Sequence, residues 1–295
     1  MTDLALAVDI GGTKMAAGLV DAQGHLSFRS QVPTRRTTGP ADAELLWGDL
    51  AELVEKVLAQ VGSGHRVVVG GVGCGGPMHL ARGEVSPLNI AGWRDFPLRG
   101  RLALLTGLPT CLDNDAKALA LAEGWIGAAA GYDNYIGMVV STGVGGGIVL
   151  DGRLLHGRTG NGGHIGHMVV VPDGRPCVCG SRGCLEAEAS GTAIAAISGQ
   201  PAALAPVELR RRTGTLVGRA IGATVNLLDL SLAVVSGSVA LGFGDAFFDA
   251  AQREVDATCG LDFTRGAQVV RGGLGESGPL VGAGRLGWLS VPEGP

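Results

Sequence analysis

Three cysteines and one histidine form the most chemically specific pattern in the chain. Cys177, Cys179 and Cys184 lie within eight positions, and His167 lies ten residues before the first of them. Three thiolates and one imidazole match the Cys₃His set of structural zinc sites. Disulfides are the alternative, but Cys177 and Cys179 are too close in sequence to bridge comfortably, and a cytosolic chain keeps its thiols reduced. We therefore predict a structural Zn²⁺ site.

Two carboxylates and an amide stand together in Asp113-Asn114-Asp115, where a short apolar run gives way to an alanine-rich segment. The spacing predicts a strand that passes directly into a helix. Backbone N–H groups and the helix dipole stabilise an anion at such a junction, so each of the three residues is a candidate helix cap. A carboxylate at this place is also a candidate general base.

Glycine turns follow apolar runs at three places. In the first turn, Asp9 precedes Gly11 and Gly12, which let backbone N–H groups point at an anion, and Thr13 and Lys14 add donors. A plain hairpin turn is the alternative, and the pattern is not the GxxxxGK[ST] loop that precedes a helix. Similar turns occupy 141–147 and 236–238. Three of them at strand ends indicate a nucleotide held by two halves of the chain.

Composition restricts the classes of protein that remain. Of 295 residues, 52 are glycine, 46% are hydrophobic, 17% are charged, and the net charge is -4. This hydrophobic content argues against disorder, and the glycines lack the collagen period. No uninterrupted apolar run is long enough to cross a membrane, the start lacks the basic region of a secretory signal, and no basic stripe suggests nucleic acid. We expect a soluble, cytoplasmic α/β protein.

The periodicity of apolar residues predicts alternating strands and helices. The predicted strands are 4–10, 15–20, 25–33, 67–72, 110–112, 136–140, 146–150 and 232–235. The predicted helices are 43–60, 116–123, 191–198, 207–229 and 279–289. Residues 157–184 lack periodicity and are rich in glycine, histidine and cysteine, which indicates an irregular segment that carries a site.

Together these motifs resemble the ROK family (repressors, open reading frames and sugar kinases) of the actin-like ATPase superfamily. Residues 9–14 and 141–147 resemble its two phosphate loops, and 236–238 its adenosine-contacting turn. Gly166-His167 followed by Cys-x-Cys-Gly-x-x-Gly-Cys-x-Glu at 177–186 matches one of its most specific signatures. The resemblance implies two ribonuclease-H-like domains with an interdomain cleft. We expect one domain at 1–116, completed by a helix at about 280–295, and a second, zinc-bearing domain at 117–279.

The resemblance also implies roles for individual residues. Asp115 would be the base that takes the proton from a sugar 6-hydroxyl as it attacks the γ-phosphoryl group of ATP. Asp9 would anchor Mg²⁺, usually through water. The implied nucleotide-binding residues are Asp9, Gly11, Gly12, Thr13, Lys14, Thr142, Gly143, Gly145 and Gly237. The implied sugar-binding residues are Gly76, Asn89, Asn114, Asp115, His164, His167 and Glu186. For Asn89, a turn residue is an equal alternative.

Two positions depart from the family pattern. Gly75-Gly76 replaces a Pro-Gly pair, and His164 stands where most glucokinases of the family have glutamate. A neutral histidine accepts one hydrogen bond and donates one, whereas glutamate accepts two. The Gly-His-Ile-Gly-His wording is similar to that of bacterial N-acetylmannosamine kinases, which favours an N-acetylated amino sugar.

Three functions stay open on these grounds. They are an N-acetylmannosamine kinase, a glucokinase, and a sugar-responsive regulator without catalysis. Family repressors carry a DNA-binding domain before the first strand, whereas Asp9 is the ninth residue here, and the intact Asp115 favours catalysis. The resemblance further implies a homodimer or homotetramer. Neither the sugar nor a phosphate donor other than ATP is fixed by the sequence.

Overall fold

The chain folds into two compact units. The computed structural model describes residues 1–291, apart from the side chain of Pro40. The first unit contains Met1–Trp125, His156–Gly162 and the segment from Glu276 onward, and the second contains Ile126–Leu155 and Gly163–Gly275. These limits differ from the predicted ones in two ways. The first unit extends past residue 116, and it takes up a short segment from within the predicted second domain.

The strands in chain order are β1 (Thr2–Ile10), β2 (Lys14–Asp21), β3 (Leu26–Pro33), β4 (His65–Cys74), β5 (Met78–His79), β6 (Glu84–Val85), β7 (Thr110–Asn114), β8 (Tyr135–Val140), β9 (Val144–Leu150), β10 (Arg153–Leu154), β11 (Leu232–Ser236) and β12 (Gln268–Arg271). The α-helices of the described residues are α1 (Pro40–Leu58), α2 (Leu98–Thr106), α3 (Asp115–Ile126), α4 (Leu185–Ala189), α5 (Gly191–Ser198), α6 (Val207–Leu228), α7 (Ser238–Phe243), α8 (Asp245–Thr258) and α9 (Gly278–Trp288). Every predicted element is present, within a few residues at each end.

Each unit is built on a five-stranded sheet with the same pattern of strand directions. The first sheet has the order β3-β2-β1-β4-β7, and the second has the order β10-β9-β8-β11-β12. In the first, β1, β2 and β3 form an antiparallel meander, and β4 and β7 continue in parallel from β1. In the second, β8, β9 and β10 form the meander, and β11 and β12 continue in parallel from β8. Parallel strands place their carboxyl ends at one edge of a sheet, which positions the site residues.

Glycines in the second unit allow two helices to approach closely. A Cβ atom at Gly214 of α6 would collide with the carbonyl of Phe247 in α8, and one at Gly218 would collide with the carbonyl of Ala251. Both glycines lie in the middle of a helix, where glycine costs about 1 kcal/mol relative to alanine. Close packing of α6 on α8 therefore explains part of the glycine excess.

Within residues 1–291, the helices are all too short or too polar to cross a membrane.

Candidate functional site

The carboxyl end of the first sheet brings together the acidic residues that the sequence singled out. Asp9 of β1 is in register with Gly73 of β4, and Gly73 is in register with Asp113 of β7. A Cβ atom at Gly73 would lie 3.3 Å from the Cα atom of Asp115 and 3.7 Å from Oδ1 of Asp9. Only a glycine therefore separates Asp9 from the start of α3.

The three polar residues at the β7–α3 junction have different partners. Asn114 caps the helix, because its Oδ1 accepts hydrogen bonds from the N–H groups of Ala116 at 3.0 Å and Lys117 at 3.4 Å. Asp113 is buried and forms an ion pair with Lys117 at 2.8 Å. Asp115 is the first residue of α3 and is half-buried. The N–H of Ala116 also donates to Oδ1 of Asp115 at 2.8 Å. The capping interpretation therefore applies chiefly to Asn114, and its predicted contact with a sugar hydroxyl stays a prediction.

Asp9 is held in unfavourable surroundings for a charge. Burial strips water from its carboxylate and raises its pKa to about 7, and the nearby charge of Asp115 adds to this rise. Lys14 and Arg29 oppose the shift only in part. Two carboxylates that repel each other are suited to a divalent cation, and Mg²⁺ prefers such oxygen ligands. The donor set at this edge therefore fits Mg²⁺.

The first glycine turn joins β1 to β2 beside Asp9. The N–H of Gly11 donates to the carbonyl of Lys14 at 3.0 Å, which closes the turn. Thr13 and Lys14 line a cavity of about 180 Å³ together with Gln31, Val32 and Pro33 of β3. Both side chains are exposed, so their donors face solvent at the site predicted for phosphate.

Asn89 and the loop around Gly76 meet this first glycine turn. A Cβ atom at Gly12 would lie 2.5 Å from Nδ2 of Asn89, and one at Gly75 would lie 3.6 Å from its Oδ1. The carbonyl of Gly76 accepts a hydrogen bond from the N–H of Leu88 at 3.2 Å. The structure therefore brings Gly12, Gly76 and Asn89 together. Asn89 lies in a turn of its own, and its side chain packs against Gly12.

In the second unit, the turn between β8 and β9 lies next to the β11–α7 turn. The N–H of Ser141 donates to the carbonyl of Gly143 at 2.9 Å, and its hydroxyl lies 3.0 Å from that of Ser238. Gly237 has φ of 101°, and a Cβ atom there would collide with the carbonyl of Val140. Only glycine fits this position. The two predicted nucleotide turns of this unit are thus neighbours, with Thr142 exposed and Gly145 paired to Val139 within the sheet.

Glu186 contacts the same turn. Its Oε2 accepts a hydrogen bond from the N–H of Val144 at 3.0 Å, and a Cβ atom at Gly143 would lie 2.7 Å from it. Glu186 stands in the first turn of α4, two residues after Cys184. The residue predicted to bind sugar is therefore held at the β8–β9 turn by the backbone of that turn.

The four side chains of the Cys/His cluster lie close enough together to hold one metal ion. The ligand atoms of His167, Cys177, Cys179 and Cys184 all lie within 4.8 Å of one another. The Sγ atoms of Cys179 and Cys184 are 3.7 Å apart, and Sγ of Cys177 lies 3.6 Å from Nδ1 of His167. A tetrahedron with Zn–S bonds of 2.3 Å has edges of about 3.8 Å. All six cysteines are free of disulfides, so the cluster fits zinc.

His164 lies on the same short segment as the cluster. It precedes a 3-10 turn at Ile165–His167, and its ring centroid lies 6.2 Å from that of His167, with the planes inclined by 21°. A Cβ atom at Gly166 would collide with the carbonyl of Val144. The turn that carries both histidines therefore packs directly on β9.

Sequence analysis missed one buried carboxylate that fixes the cysteine loop. Glu188 is 2% exposed, accepts a hydrogen bond from the N–H of Arg175 at 2.7 Å, and is paired with Arg212 of α6 at 2.6 Å. Burial alone would raise the pKa of Glu188, but these donors hold it below its usual value. No sequence motif identifies Glu188, because its partner Arg212 lies 24 positions away in the chain.

Comparison with known proteins gives one consistent family. The sequence model of the ROK family matches residues 5–287. N-acetylmannosamine kinase of Citrobacter koseri is 38% identical over 257 residues, which cover 81% of this chain and 84% of that protein. Glucokinase of Halalkalibacterium halodurans is 39% identical over 193 residues, or 65% of this chain, and the chain spans only 58% of that relative's length.

A solved structure agrees. The ROK family glucokinase of Streptomyces griseus, in complex with glucose and AMPPNP, has a TM-score of 0.84 and 31% identity. The match covers 97% of this chain and 100% of that one. The fold, the order of the turns and the family match converge, and the chain belongs to the ROK family.

Proposed function

We propose that this protein is a sugar kinase that transfers the γ-phosphoryl group of ATP to the 6-hydroxyl of a hexose or N-acetylhexosamine. The observation that carries the proposal is the approach of Asp9 and Asp115 across Gly73 at the carboxyl end of the first sheet. Phosphoryl transfer needs positioning and charge neutralisation more than covalent chemistry. A base beside a cation site meets that need.

In this proposal the residues of the first unit act on the reacting atoms. Asp115 accepts the proton of the 6-hydroxyl while the oxygen attacks phosphorus, and Asn114 and Asn89 hold sugar hydroxyls. Asp9 holds Mg²⁺, which when bound neutralises charge on the phosphates. Thr13 and Lys14 offer donors to phosphate oxygens from the β1–β2 turn.

Residues of the second unit hold the remaining parts of the two substrates. The turns that contain Thr142, Gly143 and Gly237 contact the nucleotide, while Glu186 and His164 contact the sugar. A Cys₃His zinc site has no open position, so it does no Lewis-acid chemistry. Cys177, Cys179, Cys184 and His167 would hold the ion, and a bound His167 would orient the turn that carries His164.

N-acetylmannosamine is the substrate we favour. The support is the histidine at position 164 within His-Ile-Gly-His, together with the N-acetylmannosamine kinase that matches 81% of the chain. Glucose is the second candidate, and its support is the fold similarity to the glucokinase solved with glucose. A regulator without catalysis would need no base, so the carboxylate of Asp115 weighs against it.

A substrate panel tests the proposal. ADP release is measured with Mg²⁺-ATP and glucose, mannose, N-acetylglucosamine or N-acetylmannosamine, for the wild type, His164→Glu and the matched control His65→Glu, an exposed histidine at the start of β4. We expect the highest kcat/KM with N-acetylmannosamine, a shift toward glucose in His164→Glu, and no shift in the control. Turnover of glucose alone by the wild type would reject the favoured substrate. No turnover of any sugar would reject the kinase.

The zinc site has its own test. We expect about one equivalent of zinc per chain by elemental analysis, and loss of the metal together with weaker sugar binding in Cys179→Ser. Cys259→Ser, a buried cysteine outside the cluster, is the control and should keep its zinc. A metal-free protein with normal sugar affinity would contradict the organising role.

A further inference from the structure

Lys117 is a fully buried lysine that the proposed reaction does not use. It is one of only three lysines in the chain, and its side chain is 0% exposed. It stands in the first turn of α3, where the positive end of the helix dipole disfavours a cation. Burying an ammonium group is costly, and an apolar side chain of similar shape is often as stable. Stability alone therefore does not account for Lys117.

The ammonium group of Lys117 connects two parts of the first unit. It lies 2.8 Å from Oδ1 of Asp113, 2.9 Å from the carbonyl of Gly160 and 3.3 Å from Nδ1 of His156. Asp113 and Lys117 flank Asp115 on either side in the chain. The ion pair thus spans the β7–α3 junction and fixes the backbone on which the proposed base is mounted.

The second part that Lys117 holds is the segment at 156–162. This segment belongs to the first unit, although the chain before and after it belongs to the second. Gly160 has φ of 95° and packs so tightly on Leu80 that a Cβ atom would collide with that side chain. The segment therefore packs against Leu80, the residue that follows β5.

Asn161 connects this segment to the proposed sugar loop, residues 76–89. Its Oδ1 accepts a hydrogen bond from the N–H of Met78 at 3.0 Å, and its Nδ2 donates to the carbonyl of Met78 at 2.8 Å. Met78 is two residues beyond Gly76, whose carbonyl accepts from the N–H of Leu88. The side-chain amide of Asn161 thus holds the backbone of Met78 in the segment between Gly76 and Asn89.

We propose that Lys117 is a positioning residue that holds the proposed base Asp115 and the sugar loop of Gly76 and Asn89 in one fixed arrangement. The inference rests on the proposed function. Lys117 acts through two contacts, which we call the two branches. The pair with Asp113 orients the start of α3, and the bond to Gly160 seats Asn161 on Met78.

The two branches predict different kinetic effects. The double variant Asp113→Asn/Lys117→Met removes both charges, so no buried charge is left unpaired, and it cuts both branches. We expect its sugar KM to rise at least tenfold and its kcat to fall severalfold, with the KM for ATP within twofold of wild type. Asn161→Ala cuts only the second branch, so we expect a similar rise in sugar KM with little change in kcat. Lys56→Met, the same substitution at an exposed lysine of α1, should change none of these.

Hydrogen exchange of the amides at 76–89 separates this inference from the proposed function. Both test variants should exchange faster there than wild type and Lys56→Met. If the wild type turns over no sugar, the kinase proposal fails, and faster exchange in both variants still supports the coupling. Unchanged exchange together with an unchanged sugar KM in an active enzyme would overturn the inference and leave Lys117 a purely structural residue.

Discussion

Asp9 in the first unit and Glu188 in the second are both buried carboxylates, yet their surroundings act on them in opposite directions. Burial and the charge of Asp115 raise the pKa of Asp9 to about 7. Glu188 is buried too, but hydrogen bonds from Arg175 and Arg212 hold its pKa below the usual value. The two sheets have the same strand order, so the difference comes from what each fold places around the acid.

This difference separates a group arranged for a ligand from a group arranged for stability. An acid that is destabilised in its charged form gains when a cation arrives, and perturbed acids of this kind concentrate at functional sites. A carboxylate that already accepts hydrogen bonds from its donors is not stabilised further by a cation. Glu188 therefore serves to fix the cysteine loop against α6.

Asp115→Asn should abolish most of the activity without unfolding the protein. A positioned general base contributes typically 10²–10⁴-fold, so we expect kcat to fall about 10³-fold with little change in the KM for ATP. Asp249→Asn, an exposed aspartate of α8, is the control and should retain wild-type kcat. Wild-type kcat in Asp115→Asn would contradict the proposed role of Asp115 as the base.

Lys117→Met should be more damaging to stability than Arg212→Met. Removing Lys117 breaks the ion pair of Asp113, which is 2% exposed and keeps the N–H of Asn114 at 2.7 Å and Nδ1 of His156 at 3.3 Å, and breaking such a buried pair costs about 3–5 kcal/mol. Arg212 is 40% exposed, and Glu188 keeps the N–H of Arg175, so we expect about 1–2 kcal/mol. Urea denaturation measures both. Equal losses would contradict the contrast, and Asp113→Asn/Lys117→Met should recover much of the loss of the single variant.

Asp9→Asn should stabilise the protein at high pH. Between pH 4 and 7 the folded state keeps the proton of Asp9 whereas the unfolded state loses it, so this group makes stability fall as pH rises. A rise in pKa from 3.8 to about 7 corresponds to a destabilisation of the folded state by about 4 kcal/mol at most. This destabilisation is fully present above pH 7 and absent below pH 4. Thermal unfolding of both proteins at pH 4 and pH 8 measures the difference, and an equal difference at the two pH values would be inconsistent with a protonated Asp9.

Glu188→Gln should show the opposite pH dependence and a smaller effect. A lowered pKa stabilises the fold above the unfolded value of 4.5, and this contribution is lost as pH falls through the folded value. We expect a loss of about 1–2 kcal/mol at pH 7 that shrinks in acid. A loss that instead grows toward low pH would show that Glu188 is not held as an anion.

The sequence alone predicted the parts of the site that depend on local pattern. The spacing of Cys177, Cys179 and Cys184 identified the cluster, because ligand spacing is set within one loop. The first glycine turn identified Asp9, and the junction between a short apolar run and an alanine-rich segment identified Asp115. Among the elements, the helices α2, α4, α7 and α8 and the strands β5, β6, β10 and β12 were not predicted, and these four strands are only two to four residues long, too short to show a hydrophobic period.

Residues that depend on distant partners could not be found in this way. Lys117 lies in an alanine-rich helix, and Gly160, which it binds, is 43 positions away. Residues 156–162 likewise belong to the first unit because of tertiary contacts, and the spacing of apolar residues along the chain does not predict this.

The products of the proposed reaction show whether Asp115 is the base of a sugar kinase. The wild type and Asp115→Asn are incubated with Mg²⁺-ATP and N-acetylmannosamine, and the phosphorus species are followed by ³¹P NMR. The account predicts that the wild type forms ADP and a sugar phosphate whose phosphorus couples to the two protons on carbon 6, in equal amounts, while Asp115→Asn forms almost none. ADP accompanied only by inorganic phosphate, or a sugar phosphate formed equally well by Asp115→Asn, would contradict it.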